Sequence, residues 1–226
     1  MARIICIANQ KGGIGKTSCT LWLAGALSID YNQKVLVIDA DAQQTINDLR
    51  TMEREQGIEV FPFEVISASP ESIEAVIEEH FDSYDLIFLD MPRMTGNDEM
   101  IVDVLAVCDS MLVPFVASTA DTMSTGVFMN IVESLGEIRK EENLPFYSFG
   151  FLNKSSRRKE NDFIPEYAKD LGITIFDTPI KDKKVFQQIS TSKSILDFKD
   201  GKADFKPFVD EFIKKFEIKI STKKKK

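Results

Sequence analysis

The sequence predicts an α/β fold: a doubly wound, mostly parallel sheet with helices on both faces. Three observations carry that expectation. Short runs rich in β-branched residues alternate with longer amphipathic stretches along the chain. Several of the runs, "KVLVID" and "LIFLD" among them, are almost continuously apolar, as strands covered on both faces must be. The connections between the two kinds of stretch are short, which suits repeated strand–helix–strand units.

In chain order, the predicted strands are Arg3–Ala8, Lys34–Asp39, Phe63–Ala68, Leu86–Asp90, Ser110–Val116, Tyr147–Leu152 and Thr174–Asp177. The predicted helices between and after them are Gly15–Ile29, Thr45–Gln56, Pro70–His80, Asn97–Cys108, Asp121–Glu141, Asn161–Leu171, Lys183–Thr191 and Ala203–Phe216. The last has the clearest period. Phe205, Phe208, Val209, Phe212, Ile213 and Phe216 recur at i, i+3, i+4, i+7, i+8 and i+11 and so share one helical face. No internal repeat or low-complexity linker interrupts the order. Residues 1–220 are expected to form a single domain and 221–226 a disordered basic tail.

Bulk properties narrow the class. The chain has 226 residues, enough to bury a sizeable core, with 43% hydrophobic and 28% charged residues. No apolar run approaches the roughly 18 residues that a membrane span requires, and "MARIICIANQ" enters the fold too directly for a signal peptide. Cys6, Cys19 and Cys108 are odd in number and far apart, which fits neither a disulfide framework nor a C-x-x-C metal site and suggests a reducing, cytoplasmic setting. The net charge of −8 is unevenly spread: residues 1–138 hold 7 Lys+Arg against 22 Asp+Glu, and residues 139–226 hold 21 against 14. An acidic whole argues against a permanent nucleic-acid coat. The basic second part leaves room for one anion-binding face, or is simply a solvated surface.

In a sheet of this kind ligands bind beyond the carboxyl ends of the strands, and three strand ends carry chemistry. The first is "ANQKGGIGKTSCT", Ala8 to Thr20. Gly12, Gly13 and Gly15 allow backbone N–H groups to converge on phosphate oxygens, and the helix that follows adds its positive N-terminal end. Lys16 is placed to neutralise β- and γ-phosphates and the Thr17 hydroxyl to ligate Mg²⁺, the arrangement of a P-loop NTPase. Gln10 stands where the first glycine of G-x-x-x-x-G-K-[ST] belongs, with a second lysine, Lys11, beside it. The second strand end is "VLVIDADAQQ", where Asp39 and Asp41 suit a magnesium hydration shell or the orientation of an attacking water. The third is "YDLIFLDMPR", whose Asp90 has the Walker B placement for holding magnesium through water.

Together these residues resemble the ParA/MinD superfamily of deviant Walker A ATPases. "KGGIGKTS", Lys11 to Ser18, matches the pattern K-G-G-x-G-K-T-[ST] at every defined position and makes Gly12, Gly13, Ile14, Gly15, Lys16, Thr17 and Ser18 the nucleotide loop. The resemblance implies that Lys11 reaches across a dimer to the nucleotide of the facing subunit, so that Lys11, Lys16 and Asp41 form the catalytic set. Asp39 and Asp41 match the two carboxylates of D-x-D-P-Q, with Ala42 in place of the proline and Gln43 kept. Asp90 and Pro92 match D-x-P-P, with Arg93 in place of the second proline. Thr17, Asp39 and Asp90 become the magnesium set, and Asn153 and Pro179 occupy the family's adenine-contact positions. Asp121 either caps a helix or joins the dimer site.

With its first strand at Arg3, the chain is similar to the short ParA type that lacks an N-terminal helix-turn-helix domain. That resemblance implies ATP and Mg²⁺ as cofactors, and slow hydrolysis of ATP to ADP and phosphate stimulated by a ParB-like or cargo-adaptor partner. It also implies an ATP-dependent homodimer in the cytoplasm that associates with the nucleoid by binding DNA without sequence preference. Lys181, Lys183, Lys184, Lys199, Lys202 and Lys206 are the candidate DNA contacts. The alternative reading is a MinD-like membrane-targeting helix made of the apolar face from Phe205 to Phe216 with Lys223–Lys226 behind it. The acidic residues Asp204, Asp210, Glu211 and Glu217 on its polar side suit a helix docked on its own sheet.

Overall fold

The computed structural model describes residues 1–92, 99–117, 119–155 and 163–220. Its centre is a sheet of seven strands, β1 (Arg3–Ile7), β2 (Val35–Asp39), β3 (Glu64–Ser67), β4 (Leu86–Asp90), β5 (Ser110–Phe115), β6 (Tyr147–Leu152) and β7 (Thr174–Ile175). They lie in the order β3-β2-β4-β1-β5-β6-β7 and every pairing is parallel. The helices are α1 (Lys16–Ile29), α2 (Thr45–Glu55), α3 (Ile73–His80), α4 (Glu99–Ala106), α5 (Thr119–Glu141), α6 (Ile164–Asp170) and α7 (Lys199–Lys215). The chain leaves β1 toward β2 on one side and leaves β4 toward β5 on the other. Connections diverging from neighbouring strands open a crevice at their carboxyl ends.

The apolar runs are explained by two cores, one on each face of the sheet. In β1, Ile5 and Ile7 face the layer of α1, α2 and α7, whereas Ile4 and Cys6 face the layer of α3 to α6. All five residues of β2 and of β4 are buried, which leaves no position where a solvated side chain would be tolerated.

The C-terminal face is spent on the sheet. Phe205, Phe208, Val209, Phe212 and Phe216 are all fully buried, and the rings of Phe208, Phe212 and Phe216 meet Phe88, Phe149, Phe151 and Phe176 at centroid distances of 5.2 to 6.3 Å. Docking therefore prevails over the membrane reading for this helix. α7 begins at Lys199, four residues before the expected start, and runs through Pro207. The helix reaches back because Gly201 lets its backbone press against the carbonyl of Ile195; a Cβ there would collide with that oxygen.

One expected helix is absent. Lys183–Thr191 forms only a 3-10 turn at Lys184–Gln187 and then an extended strap. Side chains from α1 and α2 take the backbone and hydroxyl groups that a helix would have used internally. The indole N–H of Trp22 donates to the Gln188 carbonyl at 2.8 Å. The carboxylate of Glu53, on α2, accepts from the Thr191 N–H at 3.1 Å and from the hydroxyls of Ser190 and Thr191. Arg50, one turn earlier, donates to the Phe63 carbonyl at 2.7 Å. Buried charges held this fully are tolerable, and α2 and the strap become one unit.

Because Phe208 is fully buried against Phe151 and Phe176, Phe208→Ala is expected to cost about 3–5 kcal/mol of stability in urea unfolding. A loss below about 1 kcal/mol would mean that α7 is not held by its aromatic face.

Candidate nucleotide site

The loop from Ala8 to Gly15 bends because two of its glycines hold left-handed backbone, Gly13 at φ +75° and Gly15 at φ +93°. No side chain caps the start of α1, so its first N–H groups remain available to an anion. The loop's shape is imposed by its neighbours. Asn153, buried at the end of β6, donates from Nδ2 to the Ile14 carbonyl at 2.6 Å and accepts the Lys154 N–H at 2.9 Å. It packs so closely that a Cβ on Gly15 would collide with its amide. Lys154 Nζ donates to the Gly13 carbonyl at 2.8 Å. On the other flank, the amide of buried Asn9 accepts the Lys11 N–H at 3.1 Å and donates to the Pro114 carbonyl and the Thr125 hydroxyl at 3.0 and 2.9 Å.

Beside the loop opens a cavity of about 540 Å³, within the range of small-molecule sites. Gly12, Gly13, Gly15, Lys16, Thr17 and Ser18 line one wall. Asp41 and Met91 stand at the β2–β4 side, and Asn153, Lys154, Lys181, Asp182, Lys183 and Phe186 at the β6–β7 side. Lys16 is buried, and its Nζ donates to the Lys11 carbonyl at 3.3 Å. Lys11 itself, half-buried five positions earlier in the same loop, is not part of the cavity wall.

Under the cavity lie two buried carboxylates on adjacent strands, Asp39 and Asp90, which are direct neighbours in the β2–β4 register. Their oxygens are used differently. Asp39 accepts the N–H groups of Asp41, Ile46 and Asn47 at 3.1 to 3.3 Å, so it closes the loop and caps α2. Burial raises its pKa, and these backbone donors oppose the rise. Asp90 accepts the Thr17 hydroxyl on Oδ2 at 2.8 Å, while its buried Oδ1 meets no donor among the described residues. Burial, reinforced by Asp39 and Asp41 and opposed by Thr17 and Lys16, pushes the Asp90 carboxyl up to about 7. An orphaned buried carboxylate oxygen next to a threonine hydroxyl is a hard oxygen set that fits Mg²⁺. Thr17 and Asp90 would hold that ion, with Asp39 acting from behind through the α2 loop. Asp41 is half-buried at the cavity and accepts the Gln43 N–H at 2.9 Å.

The other expected positions divide. Ile14 is buried and contributes its carbonyl to the clasp with Asn153. Pro179 is half-buried and does not line the cavity; the segment just after it, from Lys181 to Gln187, does. Of the six candidate DNA lysines, Lys181 and Lys183 belong to this cavity wall and both pair with Asp204, whose side chain is 7% exposed. Lys206 pairs with Asp210 one turn on, at 2.6 Å, and Lys184, Lys199 and Lys202 are exposed. The six therefore do not act as one uncompensated patch. Arg93, the Asp121 side chain and Lys223–Lys226 lie outside the described residues. Sequence reasoning missed Asn9, Lys154 and Phe186. Asn9 had a signal, a short polar side chain at the very end of an apolar strand, whereas the other two are brought in by distant segments.

Comparison with known proteins agrees with this geometry. A family described as "AAA domain" matches residues 2–80. Among curated proteins, the chromosome partitioning protein ParA of Myxococcus xanthus is 27% identical over 150 residues, 50% of this chain and 52% of that protein. The chain thus spans about half the length of the curated relatives it matches. Among solved structures, a Cyanothece McdA–ATP complex superposes with a TM-score of 0.74 at 18% identity, covering 98% of this chain and 99% of that one. The cell division ATPase MinD of Pyrococcus furiosus gives 0.67 at 23% identity, covering 95% and 99%. These two show the shared fold.

The raised Asp90 carboxyl has a measurable consequence. Folded Asp90 keeps a proton that the unfolded chain releases, so its contribution is complete below pH 3.8 and is lost as pH rises through about 7. In metal-free, nucleotide-free protein, Asp90→Asn is expected to raise stability at pH 8 by about 1–3 kcal/mol and to flatten the fall between pH 5 and 8. Thermal melts across that range check it; an unchanged slope would contradict the assignment.

Proposed function

Since the chain belongs to the ParA/MinD superfamily of deviant Walker A ATPases, we propose that it is an ATP-dependent dimerising switch. In this reading it binds nonspecific DNA as the ATP dimer and positions or segregates a plasmid, a chromosome region or another cargo. The observation that carries the proposal is the division of labour between two lysines of one loop. Lys16 lines the cavity and Lys11 does not. A cavity served by its own lysine has no need of a second from the same chain, and an amine delivered from a facing subunit adds charge only when nucleotide has drawn two subunits together. That logic is the one by which an arginine supplied in trans stabilises phosphoryl transfer.

The chain's residues then take these roles. The backbone from Gly12 to Ser18 cradles the phosphates, and Lys16 leaves the Lys11 carbonyl to neutralise them. Thr17 and Asp90 would hold magnesium, which would supply positive charge against that of the phosphates. Asp41 orients a water toward the γ-phosphorus. A bond forms from that oxygen to the γ-phosphorus, the bond from phosphorus to the β–γ bridging oxygen breaks, ADP departs with the electron pair, and the water's surplus proton passes through the phosphate product to solvent. Lys11 of the facing subunit stabilises the charge that develops. Asn153 and the segment after Pro179 hold the nucleoside end. A ParB-like or cargo-adaptor partner accelerates the step, and the dimer opens after hydrolysis. The exposed lysines Lys184, Lys199 and Lys202 are the remaining candidates for DNA phosphates, which would make binding salt-sensitive.

Lys11→Ala is expected to bind nucleotide as a monomer with wild-type affinity, yet to need at least tenfold higher protein concentration to dimerise with a nonhydrolysable ATP analogue and Mg²⁺. Analytical ultracentrifugation measures this, and dimers of normal strength would end the trans role. Co-sedimentation with plasmid DNA and with anionic liposomes, each with ATP, ADP or no nucleotide, tests the surface that is bound. Retention on DNA with ATP alone, lost at higher salt, is expected; ATP-dependent liposome binding would favour the MinD-like alternative.

A further inference from the structure

Asn9 is among the most enclosed polar side chains of the molecule, 1% exposed, and every polar atom of its amide has work. Oδ1 accepts the Lys11 N–H at 3.1 Å. Nδ2 donates to the carbonyl of Pro114, near the end of β5, and to the hydroxyl of Thr125, on α5, at 3.0 and 2.9 Å. One acceptor and two donors on a short, flat group are what only asparagine brings to this spot. Serine would be too short, and aspartate would set a second acceptor against the Pro114 carbonyl. The contacts join sequence positions more than 100 residues apart to the backbone of a single lysine.

We propose that Asn9 is a positioning residue for Lys11, and that through Thr125 it makes the placement of Lys11 depend on where α5 sits. The inference rests on the trans role of Lys11 argued above. Lys11 is gripped at both backbone groups, its N–H by Asn9 and its carbonyl by Lys16. Phosphates draw Lys16 away from that carbonyl, while the Asn9 bond to the Lys11 N–H lies on the far side of the loop and is kept. A loop of glycines cannot hold a lysine in register by itself, because each glycine adds conformational freedom that must be removed from outside. The anchor then decides whether the Lys11 amine meets the facing phosphates or wanders.

The test uses Thr125→Val, which removes the acceptor for Asn9 while keeping shape and touching no nucleotide residue. Thermal melting, affinity for a fluorescent ATP analogue and the dimerisation constant with a nonhydrolysable analogue and Mg²⁺ are measured on the full chain. We expect a melting point a few degrees below wild type, because one buried donor loses its acceptor, with unchanged nucleotide affinity and dimerisation weakened about tenfold. Thr125→Ser, which restores the hydroxyl, should recover the wild-type constant. Wild-type dimers in Thr125→Val, or nucleotide affinity falling in step with dimerisation, would overturn the inference. If Thr125→Val does not fold, Asn9→Asp, which keeps the acceptor and loses both donors, is read by the same two constants. Lys11→Ala separates the two ideas: normal dimers there overturn the trans reading itself, whereas weak dimers there with wild-type behaviour in Thr125→Val overturn only the anchor.

Discussion

A loop made of glycine has no shape of its own, and the site depends on how this one is given a shape. Gly13 and Gly15 make the left-handed turn possible, but three side chains outside the glycine run make it definite: Asn153 on the Ile14 carbonyl, Lys154 on the Gly13 carbonyl and Asn9 on the Lys11 N–H. Each comes from a strand end, so the sheet register sets the loop. Freezing several glycines costs more than freezing the same number of other residues. The enclosed amides of Asn9 and Asn153 offset that cost with hydrogen bonds that solvent cannot compete for.

The same economy governs the charges below. Two carboxylates on neighbouring strands would repel if both were ionised and dry. Asp39 is quieted by three backbone N–H groups and works as the cap of α2. Asp90 keeps an oxygen unmatched among the described residues and a raised pKa, in a state that a divalent cation would relieve. One buried aspartate serves the scaffold and the other stays strained toward a ligand.

Much of this was legible in the chain. Continuous apolar runs such as "LIFLD" announced strands buried on both faces, and Gly15-Lys16-Thr17 after a strand announced a phosphate loop. The five-position spacing of two lysines raised the question that the geometry now frames. What stayed hidden were contacts made by distant segments. Nothing in "SFGFLNKS" says that Lys154 will reach Gly13, because that contact spans 141 positions. The helix expected at Lys183–Thr191 failed for a related reason: Glu53 and Trp22, far away in the chain, satisfy a backbone that local propensity would have wound up. α7 started early because Gly201, the third residue of the helix, allows a close approach that periodicity cannot register.

The strap held by Glu53 gives the cavity a back brace. Its upstream end carries Phe186 and Gln187 on one rim, and α2, to which it is fastened, grows out of the loop that carries Asp41 on the opposite rim. The two rims are therefore tied through one hydrogen-bonded brace. Whatever widens the mouth on the lysine side also tugs on the aspartate side, so grip and chemistry are geared together by parts that never touch the occupant.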